Sequence, residues 1–212
     1  MNTVRFFDLN MGSLPDELPV LILPDVFLMP EGKLSIKITD IKQITQVFWA
    51  LSNGRMFAVF PKNGQDINRV GCAARICGFN ENNDDSLTLS LVGVCRFHIT
   101  EQFTKQNNNM LKVDFSSFAQ DLNSLKIENE DALLKSLNAY LKSKHIDMDV
   151  SLLSKMSGWR LLAILIAVLP LDYMEKQAVF ECSDFGDGIK ILITILNMAL
   201  AEIESNKGKQ KC

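Results

Sequence analysis

The chain is predicted to be an α+β protein, a small β-rich domain with one helix followed by an all-helical bundle. Three observations carry this. Apolar residues recur with period two up to about residue 117, the pattern turns helical after about residue 120, and 47% of the 212 residues are apolar, enough to fill a core. The expected divisions are 1–120 for the β-rich domain, 121–205 for the bundle and 206–212 for a frayed polar tail.

The first element is the most punctuated. "PDELPVLILPDVFLMPEGKLSIKI" at residues 15–38 holds four of the six prolines. Proline gives no N–H to a ladder and pushes the preceding residue into an extended conformation. The stretch therefore reads as a strand at 18–23, limited to an edge or a short pairing by Pro19 and Pro24, a loop, and a second strand at 32–38. Between residues 40 and 51 the period changes. Ile41, Ile44, Val47, Phe48 and Leu51 form a helical stripe, with Gly54 as a stop. "GRMFAVF" gives the next strand. Residues 69–79 and 87–97 flank the turn-forming "NENNDDS" and should make a hairpin with a loop longer than two residues. The second arm runs on through "SLTLSLVGVCRFHITEQF", with Leu87, Leu89, Leu91, Gly93, Cys95 and Phe97 on a buried face and Arg96 and His98 on the polar one. "MLKVDFSSF" adds a strand with Leu111, Val113 and Phe115 inward.

In the second half, Leu133, Leu134, Leu137, Tyr140 and Leu141 form one stripe, acidic at its start and basic at its end as the helix dipole prefers. A helix should run over 158–169, from a cap at Ser157 to Pro170. Asp172 and Glu175 form a capping box for the next. The last helix carries a narrow, mostly polar stripe of Lys190, Thr194, Asn197, Ala201 and Glu204 among Ile, Leu and Met. It is expected to be buried on most sides at the centre of the bundle.

Charge and cysteine usage exclude several classes. The net charge of −3 is spread evenly, with 11 basic and 12 acidic residues in 1–120 and 11 and 13 in the remainder, so neither half has the basic excess that phosphate backbones favour. Five cysteines at irregular spacing, with no secretory signal ahead of them, point to a reducing cytoplasm. The most apolar run, residues 161–169, is about half the length needed to span a bilayer, so no membrane association is expected.

No enzyme signature emerges. Cys72, Cys77, Cys95 and His98 have tempting metal-ligand spacing, but an odd separation within a strand puts side chains on opposite faces, so no metal site is expected. His98 and His145 lie in no Ser, Cys or acid context of a nucleophilic site. No glycine spacing matches a phosphate loop, and no cofactor is expected.

Taken in order, "LPVLILPDVFLMPEGKLSIKI", "VGCAARICGF", "LTLSLVGVCRFHITE" and "PLDYMEKQAVFE" resemble the substrate-binding amino-terminal domain of Lon proteases, in its short stand-alone bacterial form, over about residues 18–200. The resemblance implies a six-stranded, PUA-like pseudo-barrel followed by a helical bundle. It also implies a non-catalytic module that binds unfolded or tagged polypeptides, without the ATPase and peptidase domains for which no room remains after Cys212. The chain departs from the family at "KITDIKQITQ", where members carry a Phe-Glu-Pro-Arg-Tyr run; Asp40 and Lys42 keep the charge signs, and the proline and both aromatics are absent.

The candidate polypeptide-binding residues are Val26, Phe27, Leu28 and Met29, an apolar run between two prolines in a loop, either tucked under the barrel or open to a partner. Asp40, Lys42 and Arg96 are candidate polar contacts. Two alternatives stand beside this reading, an RNA-binding PUA-like module and a small-molecule pocket between barrel and bundle, with Cys95, Arg96 and His98 the first residues to inspect.

Overall fold

The computed structural model describes residues 11–63, 66–67, 69–100, 110–123, 125–128, 130–153 and 155–209. They form an α+β protein of two compact units, Met1–Asn123 and Ser124–Cys212.

The first unit carries strands β1 (Glu17–Pro24) and β2 (Lys33–Ile38), helix α1 (Ile41–Ser52), then β3 (Met56–Asn63), β4 (Asp66–Ile67), β5 (Val70–Glu81), β6 (Leu87–Ile99) and β7 (Met110–Asp114), ending in a 3-10 turn at Ser116–Leu122. Pairing runs β1, β7, β6, β5, β3 and returns to β1. The return depends on β1 changing partner. Glu17, Leu18 and Pro19 lie antiparallel to β7, and residues 20–24 run parallel to residues 58–62 of β3. Pro19, which has no N–H to donate, stands at the changeover. The result is a pseudo-barrel in place of a closed one. Strand β2 lies off this circuit and pairs with residues 87–92 of β6, while β7 pairs with His98 and Ile99.

Alternation sets the core as expected. Leu87, Leu89, Leu91, Cys95 and Phe97 of β6 are buried, and Phe97 sits edge-to-face with Phe60 at 5.2 Å and with Phe115 at 5.8 Å. The β5–β6 connection is longer than two residues. Asn82 N–H donates to the Ser86 carbonyl at 2.9 Å, and Asp85 takes φ 59° in the turn. The two-residue β4 was not foreseen, having no length in which alternation could show.

The loop after β1 is fastened to β6. Glu31 N–H donates to the Gly93 carbonyl and Gly93 N–H to the Gly32 carbonyl, both at 2.9 Å, while Gly32 N–H closes the turn onto Met29. Gly93 is required here, because a Cβ at this position would fall on the Met29 carbonyl oxygen. "MPEG" and "LVGV" are thus two sides of one backbone crossing.

The second unit comprises α2 (Glu130–Ser143), α3 (Val150–Leu153), α4 (Gly158–Val168), α5 (Tyr173–Phe180) and α6 (Phe185–Lys209). The predicted box at α5 is complete: Asp172 accepts from Glu175 N–H and Glu175 accepts from Asp172 N–H, each at 2.8 Å. The last helix differs from expectation. Phe185, Ile189, Leu192 and Leu196 form its buried stripe, Ile191, Ile193 and Ile195 are half-buried, and Met198 is 61% exposed. Its packing partners are chiefly α2 and α5, which leave the opposite side uncovered. The helix also continues to Lys209, into the segment expected to fray. The unit boundary falls after Asn123, because the 3-10 turn belongs to the barrel through the contact of Asp121 with Arg96 described below.

Candidate functional site: an exposed helix face

Helix α1 is seated by its ends and its inner face. Asp40 is the N-cap, accepting on Oδ1 from Lys42 N–H at 2.8 Å and Gln43 N–H at 3.0 Å. Ile44, Val47 and Ala50 are buried, and the helix packs against β1 and β3. Gly54 (φ 90°) and Arg55 (φ 59°) then turn the chain into β3, with Arg55 N–H donating to the Ala50 carbonyl at 2.7 Å.

The expected stripe is only partly the buried one. Ile41 is 71%, Phe48 47% and Trp49 44% exposed. At 100° per residue, Ile41 and Phe48 (i, i+7) share one line along the helix, bordering the Ile44 side, and Lys42 and Trp49 share the next, turned away from Ile44 and Val47. Polar side chains of this face bend back onto the helix itself. Thr45 Oγ1 donates to the Ile41 carbonyl at 2.9 Å, Ser52 Oγ to the Phe48 carbonyl at 3.2 Å and Asn53 Nδ2 to the Trp49 carbonyl at 2.8 Å. What faces outward is an isoleucine and two aromatic rings. Sequence periodicity placed Ile41 and Phe48 inside and passed over Trp49. The available signal was the Phe48–Trp49 pair itself, since adjacent residues diverge by about 100° and cannot both enter one core.

The other candidate residues lie elsewhere in the first unit. Phe27, Leu28 and Met29 are buried and Val26 is half-buried. Of the two positions open to that loop, tucked or free, it takes the tucked one, held by the Gly93 crossing. Its buried side chains present no accessible surface. Asp40 is a cap, and Lys42 is exposed in the first turn. Arg96, expected on the polar face of β6, is buried. Its Nε and Nη2 donate to the two carboxylate oxygens of Asp121 at 2.9 and 2.8 Å, and both side chains are at most 1% exposed. Arg96 N–H also donates to Asp121, and the guanidinium stacks over the Phe118 ring at 4.5 Å. This pair anchors the 3-10 turn to β6, leaving Arg96 no surface from which to meet a ligand.

Two of the thiols, Cys72 and Cys95, belong to the core. Burial pushes Cys72 up to about 12, with the Asp121 charge adding to it, and burial likewise raises Cys95, so both are protonated at neutral pH. Cys77 is exposed on the other face of β5, and His98 is half-buried, 5.0 Å from the Phe118 ring. Among the described residues, no three His, Cys, Asp or Glu side chains are grouped to hold a metal. No described helix is long and apolar enough to cross a membrane.

The fold and this surface define a class: a β pseudo-barrel joined in sequence to a helical bundle, presenting an apolar helix face. Residues 17–198 match the family described as the ATP-dependent protease La (LON) substrate-binding domain, and the chain belongs to that family. It is 23% identical over 203 residues to Lon protease 2 of Myxococcus xanthus, covering 89% of this chain and 24% of that protein. The chain thus spans about a quarter of that curated relative's length. Among solved structures, it resembles a Lon N-terminal domain protein from Xanthomonas campestris (TM-score 0.62, 19% identity, 84% of this chain and 97% of that one). It also resembles the N-terminal domain of the Mycobacterium avium complex Lon protease (TM-score 0.62, 16% identity, 85% and 98%).

Proposed function

We propose that this chain is a non-catalytic polypeptide-binding module that holds exposed apolar segments of non-native proteins, with α1 as the contact surface. The observation that carries this reading is the outward placement of Ile41, Phe48 and Trp49 on a helix whose inner face is already filled. Family membership supports it. The loop at 26–29 contributes as scaffold beneath the barrel.

The test uses a reduced, carboxymethylated polypeptide that cannot fold. Wild type should retain it, and Phe48→Ser with Trp49→Ser should weaken retention at least tenfold, while circular dichroism and melting stay near wild type because both residues are exposed. Equal retention by the folded double variant would sink the assignment to α1. No retention by wild type would sink the polypeptide-binding reading itself.

A further inference from the structure

From Ile41 through the turn that ends at Arg55, the charged side chains are Lys42 and Arg55, both basic. Within Ile41–Ser52 there is no acidic residue. Lys42, exposed in the first turn, opposes the helix dipole, since the N-terminal end favours anions. Asp40 beside it has its Oδ1 turned onto the Lys42 and Gln43 N–H groups. Arg55, exposed just past the other end, is a non-glycine residue at φ 59°, in the left-handed region that L side chains adopt at a cost. The ion pairs of Lys37 with Asp84, Arg96 with Asp121 and Lys190 with Asp187 involve neither Lys42 nor Arg55. Two exposed cations therefore bracket Ile41, Phe48 and Trp49, Lys42 at the helix end that favours anions and Arg55 just past the end that favours cations.

We propose that the α1 face takes an extended apolar segment with acidic residues at both ends, one carboxylate meeting Lys42 and the other Arg55. This rests on the polypeptide-binding reading and adds a substrate class to it. A helix of 12 residues is about 18 Å long. An extended chain covers that span in about five or six residues, which sets the spacing between the two acidic ends. The apolar centre lies on the aromatic rings, while the acidic flanks set register and preference through charge.

The experiment compares three peptides with one five-residue apolar core flanked by Glu, Gln or Lys, titrated into the full chain carrying Trp159→Phe, so that the emission followed is that of Trp49. The Glu-flanked peptide should bind roughly three- to tenfold tighter than the Gln-flanked one at low salt, the range expected of two exposed ion pairs, with the advantage shrinking at high salt. Lys42→Glu with Arg55→Glu should invert the order in favour of Lys flanks. Equal affinity for all three peptides, or an order unchanged by charge reversal, would overturn the inference and leave polypeptide binding standing. If no peptide binds and the carboxymethylated polypeptide is not retained either, the underlying reading falls with it. Sedimentation adds one further overturning outcome: a dimer abolished by Phe48→Ser with Trp49→Ser and not displaced by peptide would make a second copy of this chain the occupant.

Discussion

Arg96 and Asp121 lie 25 residues apart in sequence and within 1% of complete burial, so removing one partner leaves the other charge stranded in the core. Asp121→Ala should cost about 3–5 kcal/mol, read as a fall in the urea midpoint. Arg96→Met combined with Asp121→Leu should recover most of that loss, because replacing both charges removes the desolvation as well as the attraction. Gly93 gives a steric counterpart. Gly93→Ala meets the Met29 carbonyl and should destabilise by about 1–3 kcal/mol, whereas Gly78→Ala, with Ser90 Cβ at 3.9 Å, should change the midpoint little. The exposed hairpin offers a pH probe. The Lys37 ammonium, 2.6 Å from Asp84, lowers that carboxyl from 3.8 to about 2. A depressed folded value means that the ionised form makes the bonds, so the tie is complete above the ordinary carboxylate range and is lost as pH falls through about 2. In an NMR titration the Asp84 midpoint should rise toward 3.8 in Lys37→Met.

Elements whose signals are local were legible in the sequence. The β5–β6 hairpin, the α2 stripe and the Asp172 to Glu175 box each depend on residues within one turn or one strand pair, and each formed as read. Where a second layer decides, periodicity could separate two faces but not say which was covered. It placed Arg96 on a polar face, and a later 3-10 turn buried that face. It made α6 central, and α2 and α5 cover only one side of it. In α1 the stripe was found but rotated, because Ile41, Val47 and Phe48 are all apolar and only packing on β1 and β3 chooses among them. The candidate site was therefore less legible than the fold. Thiol accessibility checks the facing of β5 directly. Iodoacetamide at pH 8 should label Cys77 in the native protein, while Cys72 and Cys95 should react only after denaturation, because they are buried and protonated.

At the scale of the whole molecule, the chain divides into two compact units, and the Arg96 to Asp121 anchor stands near the end of the first. Residues 1–123 expressed alone should melt in one cooperative transition with native-like near-ultraviolet dichroism, whereas a chain stopped at residue 115 should not, having lost the 3-10 turn and Asp121. The partner change in β1 has a kinetic consequence. Glu17 pairs with Lys112, roughly 95 residues later, so the circuit closes by a contact of high order with a large loop-closure entropy, and it should form late in folding. During synthesis at about 5–20 residues per second, the apolar β1 emerges some 5–20 seconds before β7 can join it. Over that interval the nascent chain exposes an unpaired strand edge. A module proposed to hold such segments in other proteins thus passes through the same condition during its own synthesis.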